Sequence, residues 1–407
     1  MVLLSEGRPP ATVKGKRMST IDTHGPVALA QALIRCPSVT PAEGGALTWL
    51  AGQLEPLGFV CHRLSMRDAD TPDVENLYAR LGSGAPHLCF AGHTDVVPAG
   101  DELAWTRPPF EGEIADGVLY GRGAVDMKGA IACFLAAARD YLGGRGGLER
   151  GSLSFLITGD EESVAINGTP KLLAWLKRRG EMLDACLVGE PASDAAVGDQ
   201  IKIGRRGTVN ARVIVHGKQG HSAYADRAEN PIPKLARIID RLATTPLDHG
   251  TAHFQPSSLE ATIVSVPNSA TNVIPGSAQA NFNIRYNDLH TRPLIEAWVR
   301  EQCEAAAREV GARFSLAFEG TGDVFLTKPG PLVDTMRAAI EGATGRVPLL
   351  TTTGGTSDAR FIKDFCPVVE VGLRNATAHQ VDEHVPLADL ATLSAIYRCF
   401  IEVYFAR

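Results

Sequence analysis

Imidazole and carboxylate side chains collect in this chain at one recurring kind of place: where a short apolar run gives way to a loop. The run 88–91 ends in Gly92-His93-Thr94-Asp95, and the run 118–120 leads through Gly121-Arg122-Gly123 to Asp126. The run 153–157 ends in Thr158-Gly159-Asp160-Glu161-Glu162 and 183–188 in Gly189-Glu190-Pro191, while Asn375-Ala376-Thr377-Ala378-His379 follows the strand 368–371. Adjacent carboxylates repel and raise each other's pKa, so Glu161 and Glu162 call for a metal or another partner. Side chains of neighbouring residues diverge, which lets one bind metal while the other faces substrate.

These runs have the length and composition of buried strands. In open α/β sheets, ligands gather at the carboxyl ends of such strands. Helical spacing over 27–34, 41–54 and 129–141 alternates with strand patterns over 59–64, 76–81, 88–91 and 153–157, up to about Gly204. That alternation predicts an α/β catalytic unit with a mostly parallel sheet, built from 26–206 and 321–407. Between them, 207–320 changes character. Strand 208–216, helix 231–242, strands 258–266 and 278–286, helix 293–310 and strand 314–318 predict an inserted ferredoxin-like α+β unit. Two polar stretches within it, 220–224 and 271–275, are too particular for linkers. After Gly320 the pattern resumes with helix 332–342, strand 347–351, the Gly-rich loop 354–358, strand 368–371 and a final helix 387–405.

A chain of 407 residues exceeds one typical core, which agrees with two units. Hydrophobic content of 44% and charged content of 21% are those of an ordinary globular protein. A formal net charge of −6 argues against nucleic acid as a partner, and no segment approaches the ~20 apolar residues of a membrane span. Eight scattered cysteines without a CxxC pair fit reduced thiols and a cytoplasmic location. Residues 1–25 lack the apolar block of a signal peptide and read as a disordered extension.

Taken together and in order, GHTDVVP, YGRGAVDMKG, TGDEES, GEP and NATAH resemble the dinuclear-zinc aminoacylase and carboxypeptidase family, from about Pro26 to the C-terminus. TTGGTSDARFI, GRRG, GKQGHSAY and TNVIPG are similar to its bacterial branch that hydrolyses N-succinyl-LL-2,6-diaminopimelate to succinate and LL-2,6-diaminopimelate, for lysine and cell-wall synthesis. The resemblance implies two Zn²⁺ per subunit, with Co²⁺ as a substitute. His93, Asp126 and Glu190 would hold one ion and Asp126, Glu162 and His379 the other, Asp126 bridging through its two oxygens. It implies Glu161 as general base on the bridging water, and a cis peptide bond after Asp126. It makes Asp95 the acceptor for the second ring N–H of His93, which would fix the tautomer.

The resemblance further implies a homodimer in which His221, from the partner's inserted unit, stabilises the oxyanion. Substrate selection would fall to Arg206, Thr208, Tyr224, Asn272, Arg285, Gly355, Thr356 and Asn375, with arginine matching the succinyl carboxylate. Two departures bear on substrate fit. Gly159 stands where many relatives carry Ser, and the stretch after Tyr224 reads ADRAENP, without the usual Pro-His. The same zinc chemistry would also serve another N-acyl amino acid such as acetylornithine, or a dipeptide. A non-catalytic zinc- or ligand-binding protein is the alternative from a different class.

Overall fold

The computed structural model describes residues 24–320 and 322–406, so all but the last two residues of the expected N-terminal extension lie outside the described residues. The run 118–120 becomes Val118–Tyr120 of a separate three-stranded sheet with Ile114–Ala115 and His384–Pro386, while the other runs join one eight-stranded sheet. Its order is Val60–Met66, Val74–Ser83, Gly151–Thr158, His87–His93, Ala185–Val188, Val368–Glu370, Gln200–Lys202 and Leu349–Thr351. The centre, where Gly151–Thr158, His87–His93, Ala185–Val188 and Val368–Glu370 lie side by side, is parallel throughout. Antiparallel pairs occur toward the edges, so the sheet is mixed but mostly parallel. Every residue of the His87 and Gly151 strands is buried, as expected for strands covered on both faces.

The helix Lys128–Gly143 packs under this centre. It is apolar nearly all round and buried along most of its length, because it lies between the sheet and the C-terminal helix Leu387–Phe405. Close approach at its start explains two glycines that precede candidate ligands. A Cβ on Gly92 would come within 2.4 Å of Met127 Cε, and one on Gly189 within 2.8 Å of the same atom.

The inserted unit forms its own antiparallel sheet, in the order Ser258–Ser265, Ser277–Tyr286, Gly207–His216, Arg313–Glu319. With helices Pro231–Thr244 and Arg292–Val310, this is the ferredoxin-like order. Its core is a separate cluster built from Val209, Val213, Ile238, Phe282, Ile284 and Val299 among others.

Some element boundaries differ from the expectation. The helix expected over 41–54 begins at Ala46, because Glu43 turns back to accept hydrogen bonds from the Gly45 and Thr48 N–H groups, with Gly44 and Gly45 at positive φ. The strands expected from Leu183 and Val347 begin at Ala185 and Leu349. Among the described residues, no helix is long and apolar enough to cross a membrane. All eight cysteines are free, and five of them are buried.

Candidate functional site

Four loops that follow the central strands, and a fifth that follows Val118–Tyr120 of the separate small sheet, bring the predicted ligands into one cluster. His93, at the end of its strand, is 1% exposed. Its Nε2 lies 3.2 Å from Asp126 Oδ1 and 3.7 Å from Glu190 Oε1. On the other side of Asp126, Oδ2 lies 3.2 Å from His379 Nε2, which is 2.9 Å from Glu162 Oε1. The two oxygens of Asp126 therefore face two imidazoles, the arrangement a bridging carboxylate needs. His93 groups both with Asp126 and Glu162 and with Glu161 and Glu190, the ligand atoms of each group lying within 4.8 Å of one another. The Asp126–Met127 peptide bond is cis.

The electrostatics of the cluster match a site built for cations. Burial, then Asp358, Glu162 and Asp126, push the Glu161 carboxyl up to about 8. Burial, then Asp126 and Glu161, hold Glu190 well above its ordinary value. His379 is raised to about 10 by its bonds to Asp126 and Glu162. His93 is raised too, although burial alone would lower it, because Asp126, Glu190, Asp95 and Glu161 surround it. Glu190 Oε1 is buried and has no hydrogen-bond partner among the described residues. An orphaned oxygen amid convergent carboxylates and imidazole nitrogens is what two divalent ions would satisfy, so these residues fit a dinuclear metal pair.

Asp95 has a different role from the one expected of it. His93 Nδ1 donates to the backbone oxygen of Asp95 at 2.9 Å, while the Asp95 carboxylate stands 3.7 Å away. That carboxylate instead accepts the N–H groups of Glu161, at 3.3 Å, and Glu162, at 3.0 Å. It is buried, which raises it to about 6. The carbonyl orients the His93 ring, turning Nε2 toward Asp126, and the side chain holds the backbone of the two glutamates.

Glu161, Glu162, Glu190, Asp126 and His379 line an open cavity of about 390 Å³, together with Arg205, Arg285, Gly355, Thr356 and Asn375. A larger cavity, about 530 Å³, opens at the opposite end of the sheet beside Pro86 and Pro331, without such a cluster. Thr208 lies opposite Arg285 in the strand register. Arg206 lies outside the lining, yet close enough to Arg285 that burial first and Arg206 second lower the Arg285 guanidinium. Arg206 Nε and Arg285 Nη1 are both buried without a hydrogen-bond partner among the described residues.

His221, Tyr224 and Asn272 are exposed on the inserted unit, and none of them lines the cavity of its own chain. His221 Nδ1 accepts the Ala223 N–H at 3.0 Å, which leaves Nε2 as the ring nitrogen able to donate.

Residues that sequence reasoning passed over complete the site. Arg205 donates through Nε to Glu370 Oε2 at 2.8 Å, and Ser357 bonds the other oxygen of Glu370. Arg205 Nη1 also bonds the Thr353 and Gly355 carbonyls, so this buried pair holds the Gly-rich loop against the cavity. GRRG marked the position, but the type alone did not separate the anchoring arginine from its neighbour.

The profile described as Peptidase family M20/M25/M40 matches residues 89–403. A protein of a Bradyrhizobium species named succinyl-diaminopimelate desuccinylase is 56% identical over 93% of this chain and 98% of its own. One of the same name from Rhodospirillum centenum is 57% identical over 94% of this chain and 97% of its own. Among solved structures, the aminopeptidase PepT of Bacillus cereus superposes with a TM-score of 0.75 at 22% identity, covering 95% of this chain and 100% of that one. An M20 metallo-carboxypeptidase of Sulfolobus solfataricus gives 0.74 at 17% identity, covering 94% and 99%. At those identities the likeness is one of fold.

Proposed function

This chain belongs to peptidase family M20/M25/M40, and from that membership and the geometry of its cavity we propose that it hydrolyses N-succinyl-LL-2,6-diaminopimelate to succinate and LL-2,6-diaminopimelate. Its relatives at 56–57% identity are named for that reaction. The observation that carries the reading is Arg285, whose unpartnered Nη1 belongs to the wall of the same cavity as the imidazole–carboxylate cluster. A substrate that fills both ends needs a scissile amide and, a few bonds away, a free carboxylate. An N-acetyl amino acid has no such carboxylate on its acyl side.

His93, Asp126 and Glu190 would hold one metal ion and Asp126, Glu162 and His379 the other; we propose zinc, with cobalt as a working substitute. When bound, the ions would polarise the amide carbonyl and acidify a water. Glu161 takes the proton that this water gives up as its oxygen attacks the carbonyl carbon. It then delivers that proton to the amine nitrogen as the C–N bond breaks. Asp95 keeps Glu161 in reach by holding its N–H. Arg285 and Arg206 orient the succinyl carboxylate, and Gly355, Thr356, Thr208 and Asn375 shape the surrounding wall.

Residues 207–320 would serve as dimerisation and closing unit of a homodimer. His221 of the partner subunit would then donate its Nε2 proton to the oxygen that gains charge, with Tyr224 and Asn272 beside it. We propose further that the enzyme acts on this small molecule in the cytoplasm. A panel of succinyl, acetyl and dipeptide substrates assayed with metal restored to stripped protein tests the proposal. Preference for an acetyl or dipeptide substrate would overturn the assignment of Arg285.

A further inference from the structure

Asp126 and His379 lie 3.2 Å apart yet are separated by 253 positions in the chain, and one buried ion pair joins the loops that carry them. Glu383, in the loop between His379 and the short strand His384–Pro386, is 0% exposed. Its Oε2 accepts from Arg122 Nη1 at 2.8 Å and the Gly123 N–H at 3.1 Å. Its Oε1 accepts from the Val125 N–H at 2.9 Å and the Asp126 N–H at 3.1 Å. Every one of these donors belongs to the loop that delivers Asp126. The backbone oxygen of Glu383 also accepts the Gly121 N–H.

Arg122 returns the connection. Its guanidinium, 2% exposed and stacked over Trp105, donates to the Gln380 carbonyl at 3.2 Å and the His379 carbonyl at 3.5 Å. His379 has φ 64, a conformation few residues other than glycine adopt, so its loop draws on outside support.

We infer that Glu383, with Arg122, is a positioning residue that sets the separation of Asp126 and His379 and thereby tunes the affinity of the site for metal. The inference rests on the reading that Asp126 and His379 are metal ligands. A carboxylate suits the task because both of its oxygens accept. An amide of the same shape has one accepting oxygen, and its NH₂ would face either Arg122 and Gly123 or Val125 and Asp126, donor against donor. Glu383→Gln therefore keeps the volume of the side chain and loosens the ligand loops.

The test is a zinc titration of metal-free protein against a competing chelator, with the absorption spectrum of the cobalt-loaded form recorded alongside. Glu383→Gln is expected to raise the zinc Kd at least tenfold and to shift the cobalt bands. The melting temperature of the metal-free form should stay within a few degrees of wild type. Glu383→Asp, which retains two accepting oxygens, should fall between. In turnover, kcat should drop while KM changes less than about threefold. If Glu383→Gln does not fold, Arg122→Lys carries the same titration, since it keeps the charge and loses the fork. Unchanged zinc affinity and cobalt bands in the folded variant would overturn the inference and leave the pair a purely structural one. A wild-type chain that takes up no zinc would bring down the ligand reading itself, a separate outcome.

Discussion

Arg285→Ala removes a guanidinium whose Nη1 is buried without a partner among the described residues and whose charge is opposed by Arg206. Among the described residues it makes one hydrogen bond, from Nε to Asn283 Oδ1 at 3.0 Å. A hydrogen bond to a charged group contributes about 1.5–3 kcal/mol, and truncating one partner of a buried charge pair costs about 2–5 kcal/mol. Arg285 is half-buried and Arg206 remains nearby to compensate, which places the loss at about 2–3 kcal/mol, or about 30- to 150-fold in kcat/KM. The acetyl analogue has no acyl-side carboxylate, and its residual turnover should change by less than about threefold. Stability should move differently. Deleting one of two repelling cations relieves the folded state, so the melting temperature should hold or rise. The assay is steady-state kinetics on both substrates, with thermal melting of the same preparations. Equal loss on both substrates, or a marked drop in melting temperature, would show that Arg285 holds the junction together instead of reading the substrate.

Glu161→Gln should lower kcat by about 10²- to 10⁴-fold while leaving two metal ions bound, and metal analysis of the purified variant checks it; loss of an ion would make Glu161 a ligand. Asp95→Asn can accept only one of the Glu161 and Glu162 N–H bonds, so kcat should fall at least tenfold, whereas a side chain unconnected to the glutamates would leave it unchanged. In the inserted unit, burial would raise the Asp248 carboxyl, but bonds from Ser257, Gly250 and Asn287 outweigh it and hold it down to about 2. A depressed pKa contributes stability that is complete above the unfolded value near 4 and is lost as pH falls toward 2. Asp248→Asn should therefore lower the melting temperature at pH 7 and by progressively less below about pH 4, and a difference independent of pH would refute this.

The strand ends were legible because runs such as 88–91 and 153–157 are short, largely apolar and soon followed by glycine and charged residues. The physics that buries them also fixes where their loops emerge. The inserted unit was legible from its change of period at Gly207. What escaped reading was decided by backbone atoms and distant partners. The start of the helix at Ala46 depends on the Glu43 side chain reaching back to two N–H groups. The role of Asp95 turns on which of its oxygens faces His93, which residue type does not reveal. Arg205 and Arg206 are the same residue one position apart, and only the buried pair with Glu370 marks Arg205 as the anchor. Glu383 binds backbone N–H groups some 257 to 260 positions away, a pairing that leaves no pattern in the chain.

The central claim is that these loops form a metal-dependent site for a succinylated amine. It is tested most directly by restoring zinc in steps to stripped protein while counting bound ions per chain and following succinate release from N-succinyl-LL-2,6-diaminopimelate. Negligible turnover without metal, uptake of two ions per chain, and succinate release that rises with them are expected. Full activity in the stripped protein, or two bound ions without release of succinate, would contradict it.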